Sequence, residues 1–205
     1  VVVIGSGPAG QNSAVEAASL GARVLIIERE RHVGGACVQY GTIPSKTLRE
    51  TALTLTAFRR RSGGIYEISH DSQLSISSLM TRLDEVVRAH QNATQQCLDM
   101  ANVERAQGKA SFISPNEIEI RDIAGNITIA TAQHVVVATG SRPRNPPNAD
   151  VDHENIFDSD SVLSMTYLPA SMVVLGGGVI ACEYASTFAS LGVKVTIVDK
   201  WPSPL

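Results

Sequence analysis

Residues 1–29 and 172–200 follow one pattern. A shift of 171 residues aligns VVVIGSGPAGQNSAVEAASLGARVLIIER with MVVLGGGVIACEYASTFASLGVKVTIVDK without a gap, and 11 of the 29 positions are identical. Each copy runs apolar strand, glycine turn, alanine-rich helix, glycine stop (Gly21 or Gly192), second apolar strand, acid. This is a βαβ unit, in which the crossover helix returns the chain to the same end of the sheet and so makes neighbouring strands parallel. A chain organised by two such units is α/β. With 43% hydrophobic and 18% charged residues it can also bury a core.

The stretch between the copies changes character. Ser45 to Arg61 reads as a helix with Pro44 just before its start, and Ser77 to Gln107 as a longer one. Leu79, Leu83, Val86, His90, Ala93, Cys97 and Ala101 form the apolar stripe of the second helix. Three short strands follow at Lys109–Ile113, Glu117–Arg121 and Ile127–Thr131, with Ala124-Gly125-Asn126 as a turn. His134–Thr139 is a buried-type strand ending at Gly140, and the proline-bearing residues 141–171 are a linker. Both termini read as cuts within a longer chain: a strand begins at Val1 without an initiator Met, and Trp201–Leu205 is turn-like.

Gly5-Ser6-Gly7-Pro8-Ala9-Gly10 is G-x-G-x-x-G, placed directly after a strand and opening a helix. Gly5 permits the tight turn, Gly7 lets a pyrophosphate approach the backbone, and Gly10 lets helix and strand pack closely. The helix N-terminus turns its positive end to the phosphates. Glu28, 18 residues past Gly10, stands where a carboxylate accepts a ribose hydroxyl. In the second copy Gly176, Gly178 and Ala181 take the three positions, and Asp199 keeps the 18-residue spacing. Two fingerprints in register imply two dinucleotides.

Other functions are poorly served. A net charge of −3 gives no electrostatic footprint for nucleic acid or an anionic membrane, and 4% aromatics offer no base-stacking platform. No apolar run approaches the ~18 residues of a membrane helix. Three cysteines make no disulfide scaffold, so the cytoplasm is the expected compartment. His32, His70, His90, His134 and His153 have no metal-ligand spacing, and no metal site is expected. Cys97 and Cys182 read as packing residues, and Arg59-Arg60-Arg61 as a solvated helix end.

Gly34-Gly35-Ala36-Cys37-Val38-Gln39-Tyr40-Gly41-Thr42-Ile43-Pro44-Ser45-Lys46 is more specific than either glycine turn. It resembles the signature G-G-x-C-x4-C-x-P-S-K of the flavoprotein pyridine nucleotide–disulfide oxidoreductases. The resemblance extends over essentially the whole chain. It implies that the first fingerprint binds FAD and the second NAD(P), with Ala138-Thr139-Gly140 similar to the second FAD motif. It implies a Rossmann-like FAD-binding domain over 1–165, a parallel sheet with helices and a small antiparallel meander. The start of a second Rossmann-like domain for NAD(P) follows over 166–205. Gly34, Gly35, Cys37, Thr42 and Lys46 then belong to the flavin site. Lys46 and Glu183 match a lysine and a glutamate that pair beside the flavin N5. The intact protein would be a homodimer or higher homo-oligomer.

One departure bears on the chemistry. The family's second cysteine is Thr42, and a hydroxyl can neither form a disulfide nor donate a thiolate to the flavin. Cys37, Thr42 and an intact Ile43-Pro44-Ser45-Lys46 resemble the soluble pyridine nucleotide transhydrogenase branch, as does the connector Phe157–Met165. That branch passes hydride from NADPH to NAD⁺ through the flavin. Without a dithiol, oxygen or a quinone-like molecule could also accept the electrons. A flavin-dependent reductase or oxidase, a relative of dihydrolipoyl dehydrogenase, and a non-catalytic nucleotide-binding sensor stay open. Cys37 has two readings, a lone redox thiol passing through a sulfenic state or a small residue near the FAD pyrophosphate. Asp199 favours NAD(H), with Lys200 partly offsetting its repulsion of a 2′-phosphate.

Overall fold

The computed structural model describes residues 1–61, 76–147 and 149–204. His70 lies outside them, as do the side chains of Arg59, Arg60 and Arg61. In chain order the elements are β1 (Val2–Ile4), α1 (Pro8–Ser19), β2 (Leu25–Glu28), α2 (Gly35–Gln39), α3 (Thr42–Arg61) and α4 (Ile76–Met100). There follow β3 (Glu104–Gln107), β4 (Lys109–Ser114), β5 (Glu117–Arg121), β6 (Ile127–Thr131) and β7 (Val135–Val137). A short 3₁₀ turn at Val162–Ser164 precedes β8 (Ser171–Leu175), α5 (Val179–Ser190) and β9 (Lys194–Val198).

The residues pack as two compact units, Val1–Gly41 with Val87–Arg142, and Thr42–Val86 with Pro143–Leu205. In the first, β3-β2-β1-β7 form a parallel sheet and β4-β5-β6 an antiparallel meander. Val3, Ala14, Val24, Ile26, Leu98 and Val103 bury one face of the parallel sheet under α1 and the end of α4. Val2 and Ile27, alternating with them, meet Ile118 and Ile120 of the meander. A parallel sheet covered on both faces is what uninterrupted runs such as Val-Val-Val-Ile require.

In the second unit β8 and β9 pair in parallel. Tyr184 and Phe188 of α5 close a core with Leu48 and Ala52 of α3, Leu79 and Leu83 of α4, and Val162 and Met165. Both copies of the repeat are thus βαβ units, with α1 and α5 occupying equivalent residues.

Several boundaries differ from expectation. The helix expected from Ser45 starts at Thr42, with Pro44 in its first turn. Proline is tolerated there because the first-turn N–H groups have no intrahelical acceptor. The helix expected to run to Gln107 stops at Met100; Asn102 turns left-handed (φ 53°), and Val103 N–H caps Leu98 O at 3.0 Å. Glu104–Gln107, helical in residue type, forms an edge strand on β2, so tertiary pairing overrides local preference. The buried stripe of α4 is also rotated: Thr94 and Leu98 are buried, whereas His90 and Ala93 are exposed.

Residues Gly35–Gln39 of the signature form a helical turn with no forecast in the periodicity. The strand expected over His134–Thr139 contracts to Val135–Val137 and, among the described residues, pairs only with β1, leaving Val137 exposed. Val162 and Met165 of the expected linker are buried core residues. No helix among the described residues is long and apolar enough to cross a membrane.

Candidate functional site

The first glycine turn is built as its spacing demands. Gly5 has φ +100°, and a Cβ on it would stand 2.4 Å from Ala138 O. A Cβ on Gly10 would come within 1.9 Å of Gly5 O, so α1 lies directly on the end of β1. A Cβ on Gly7 would meet nothing nearer than Gly35 Cα at 3.8 Å. Gly7 thus lies against the signature loop, and the missing side chain is what lets a phosphate come up to the backbone there. Gly7 caps α1 in extended conformation and Pro8 follows at its first position, where the missing N–H costs nothing. The Ala138-Thr139-Gly140 motif is joined to this turn. Ala138 N–H donates to Ile4 O at 2.8 Å, and its methyl would lie 3.3 Å from a Cβ on Gly10.

Glu28 closes the turn from the end of β2. Its Oε2 accepts from Ser6 N–H at 2.8 Å and from Ser6 Oγ–H at 2.6 Å, and its Oε1 from Glu30 N–H at 3.0 Å. The signature loop rests on the same place. Gly34 N–H reaches Ser6 O at 3.1 Å and Ser6 Oγ at 3.2 Å. Gly35 (φ +61°) passes so close that a Cβ on it would be 2.6 Å from Gly7 Cα. Cys37 follows on α2, half-buried with a free thiol.

In the second unit Gly178 caps α5 as Gly7 caps α1, with φ −76° and ψ 175°. Asp199 Oδ2 accepts from Gly177 N–H, and its Oδ1 from Trp201 N–H at 2.8 Å. The Trp201 N–H holds the Asp199 carboxyl below the usual carboxylate range, helped by the Gly177 and Lys200 N–H groups and the Lys200 charge against desolvation. Gly176, Gly177, Gly178, Val198, Asp199, Lys200, Trp201, Ser203 and Pro204 line a cleft of about 690 Å³. Lys200 Nζ stands 5.1 Å from the Trp201 ring centroid.

The same unit brings Lys46 and Glu183 together. Each is the fifth residue of its helix, α3 or α5, and Nζ to Oε1 is 2.6 Å. Both therefore sit just past the first turn of their helices. The lysine side chain is 59% exposed and the glutamate side chain 20%. A pair this exposed contributes ~0–1 kcal/mol to stability; what it fixes is the position of the ammonium. Ser45 Oγ lies 3.3 Å from the same Oε1, and Arg49 donates to Ser186 Oγ at 3.0 Å one turn further along. Thr42 begins α3 and is exposed. Burial, with the Glu183 and Asp160 charges adding, pushes the Tyr184 phenol well above its usual range. Its neutral hydroxyl donates to Ser159 O at 3.4 Å.

Sequence reasoning passed over Ser6, Ser45 and Trp201. Ser6 could have been found by comparing the copies, because the position between the first two glycines is Ser6 in one and Gly177 in the other.

The whole chain, residues 1–205, matches the family described as pyridine nucleotide-disulphide oxidoreductase. It is 43% identical over 203 residues to a soluble pyridine nucleotide transhydrogenase of Mycobacterium bovis, covering 98% of this chain and 43% of that protein. It is 39% identical over 199 residues to one of Yersinia enterocolitica, covering 97% and 42%. The fold matches crystallised LpdA from Mycobacterium tuberculosis with a TM-score of 0.89 at 28% identity, over 100% of this chain and 45% of that one. It matches the HOCl-induced flavoprotein disulfide reductase RclA of Escherichia coli with a TM-score of 0.82 at 29% identity, over 100% and 42%. The chain thus spans less than half the length of these relatives. With both glycine turns, the signature loop and the Lys46–Glu183 pair built as described, the chain belongs to the pyridine nucleotide-disulphide oxidoreductase family.

Proposed function

We propose that the intact protein is an FAD-dependent transhydrogenase that moves hydride from NADPH to NAD⁺, leaving NADP⁺ and NADH. The observation carrying this is Thr42 in the second-cysteine position of an otherwise intact signature. A hydroxyl there gives the electrons no disulfide to enter, so a second nicotinamide takes them. The named transhydrogenase relatives support the same choice.

The residues present fit the cofactor. The bare backbone at Gly7, where a Cβ would already touch Gly35 Cα at 3.8 Å, and the first N–H groups of α1 suit a pyrophosphate, and Glu28 Oε1 keeps acceptor capacity for a ribose hydroxyl. FAD, when bound, supplies a ring that accepts a hydride and can pass it on. Gly5, Gly7, Gly10, Glu28, Gly34, Gly35 and Ala138–Gly140 would hold it, within the proposed 1–165 segment. Gly176, Gly178, Ala181 and Asp199 would take the nicotinamide nucleotides, within 166–205. Lys46, steadied by Glu183, would present a fixed positive charge where negative charge develops in the ring. A cytoplasmic homo-oligomer is part of the proposal.

Anaerobic mixing of NADPH with NAD⁺ tests it. NADH should form one-for-one with NADPH consumed, in parallel lines when one substrate is varied at several levels of the other. Reduction of lipoamide or glutathione disulfide at a matching rate would sink the assignment.

The nucleotide cleft gives a finer expectation. Asp199→Asn removes the charge that repels a 2′-phosphate while one side-chain oxygen remains to accept a hydrogen bond. The KM for NADPH should fall about tenfold relative to that for NADH, a 1.4 kcal/mol change. An unchanged ratio would take discrimination away from Asp199.

A further inference from the structure

Ser6 is fully buried, at 0% exposure, yet its N–H, its carbonyl and its hydroxyl are all hydrogen-bonded. Its hydroxyl donates to Glu28 Oε2 at 2.6 Å and accepts from Gly34 N–H at 3.2 Å, while its N–H donates to the same Oε2 at 2.8 Å. The short bond to an ionised oxygen belongs to the stronger class of hydrogen bonds. Two donors occupy Oε2, and Oε1, with the Glu30 N–H at 3.0 Å, retains a free lone pair. The carboxylate therefore offers one oxygen, in one orientation, to an incoming hydroxyl.

The second copy lacks this device. Gly177 stands in place of Ser6, and Asp199 is held by backbone N–H groups, those of Gly177 and Trp201 among them, with no side-chain hydroxyl at that position. A side chain could not be added there without movement, because a Cβ on Gly177 would come within 2.9 Å of Asp199 Oδ2 and 3.1 Å of Pro204 Cα.

We propose that Ser6 is a positioning residue for the first nucleotide site. Its hydroxyl ties the β2 carboxylate to the signature loop, so the ribose acceptor is set before the ligand arrives. Fixing an acceptor in advance removes part of the ordering cost of binding. The inference rests on the assignment of FAD to this turn, and the test separates the two.

Apoprotein of the full-length chain is titrated with FAD by flavin fluorescence. Ser6→Ala should raise Kd about tenfold, equivalent to 1.4 kcal/mol. The rise should shrink to about twofold when Glu28→Ala is already present, because the hydroxyl acts through that carboxylate. Ser6→Gly, which restores the second copy's residue, should behave as Ser6→Ala does and serves if the alanine variant fails to fold. An unchanged Kd in the single variants overturns the inference. The same tenfold loss with and without Glu28 also overturns it, since the hydroxyl would then be acting through packing alone. Unmutated apoprotein that takes up no FAD overturns the cofactor assignment first, and the inference with it.

Discussion

Lys46→Met in the intact protein is expected to slow flavin reduction by NADPH and by NADH alike, about 10²–10³-fold, the usual cost of losing one preorganised electrostatic stabiliser. FAD should stay bound, because the lysine pairs with Glu183 and not with a residue of the first glycine turn. Methionine keeps much of the stem's length and apolar bulk, so the variant removes charge more than packing. Glu183→Gln should cost less, about tenfold, since the cation survives and loses only the carboxylate that holds it at 2.6 Å. Anaerobic stopped-flow absorbance of the flavin reads both variants. An unmutated rate in Lys46→Met would remove Lys46 from the mechanism, and slowing with only one of the two nucleotides would place it on a binding surface instead.

The second large effect is on stability. Gly35→Ala should destabilise the intact protein by about 3–4 kcal/mol, adding a left-handed conformation to a backbone collision. The new Cβ would stand 2.6 Å from Gly7 Cα and 3.1 Å from Gly7 N, atoms that cannot swing aside as a side-chain tip could. Gly21→Ala is the control. Its φ of +85° carries similar conformational strain, but no atom lies within 4 Å of the added Cβ, so it should cost about 1 kcal/mol. Urea unfolding compares the two. If both variants lose the same amount, the approach of the signature loop to the turn is not a close one in solution.

Much of this was readable from the residues because the constraints are local. The spacing of Gly5, Gly7, Gly10 and Glu28 follows from the geometry of one turn and one strand length, and it reappears unchanged at Gly176 to Asp199. The meander strands Glu117–Arg121 and Ile127–Thr131 fall at the expected residues, because alternation is complete within each run. What escaped depends on partners distant in sequence. Glu104–Gln107 has no strand pattern of its own and is a strand because β2 lies beside it. Val162 and Met165 sit among prolines and read as linker, yet α5 gives them a core to enter. At the site, the pairing of Lys46 with Glu183 came from a motif resemblance, since 137 residues separate them and no periodicity connects them. Ser6 escaped because serine in a turn has many uses, and only the fold brings Glu28 and Gly34 to its hydroxyl.

The contact beneath Gly10 also limits how the two halves of the repeat can exchange material. In the first copy α1 is drawn against β1 until a Cβ would stand 1.9 Å from Gly5 O; in the second, α5 carries Ala181 at the matching position. Glycine from the first copy can be moved into the second with only a loss of helix propensity, about 1 kcal/mol. The reverse transfer forces helix and strand apart. Recombination between the duplicated stretches is therefore open in one direction and closed in the other, and the tighter copy is sheltered from being overwritten by the looser one.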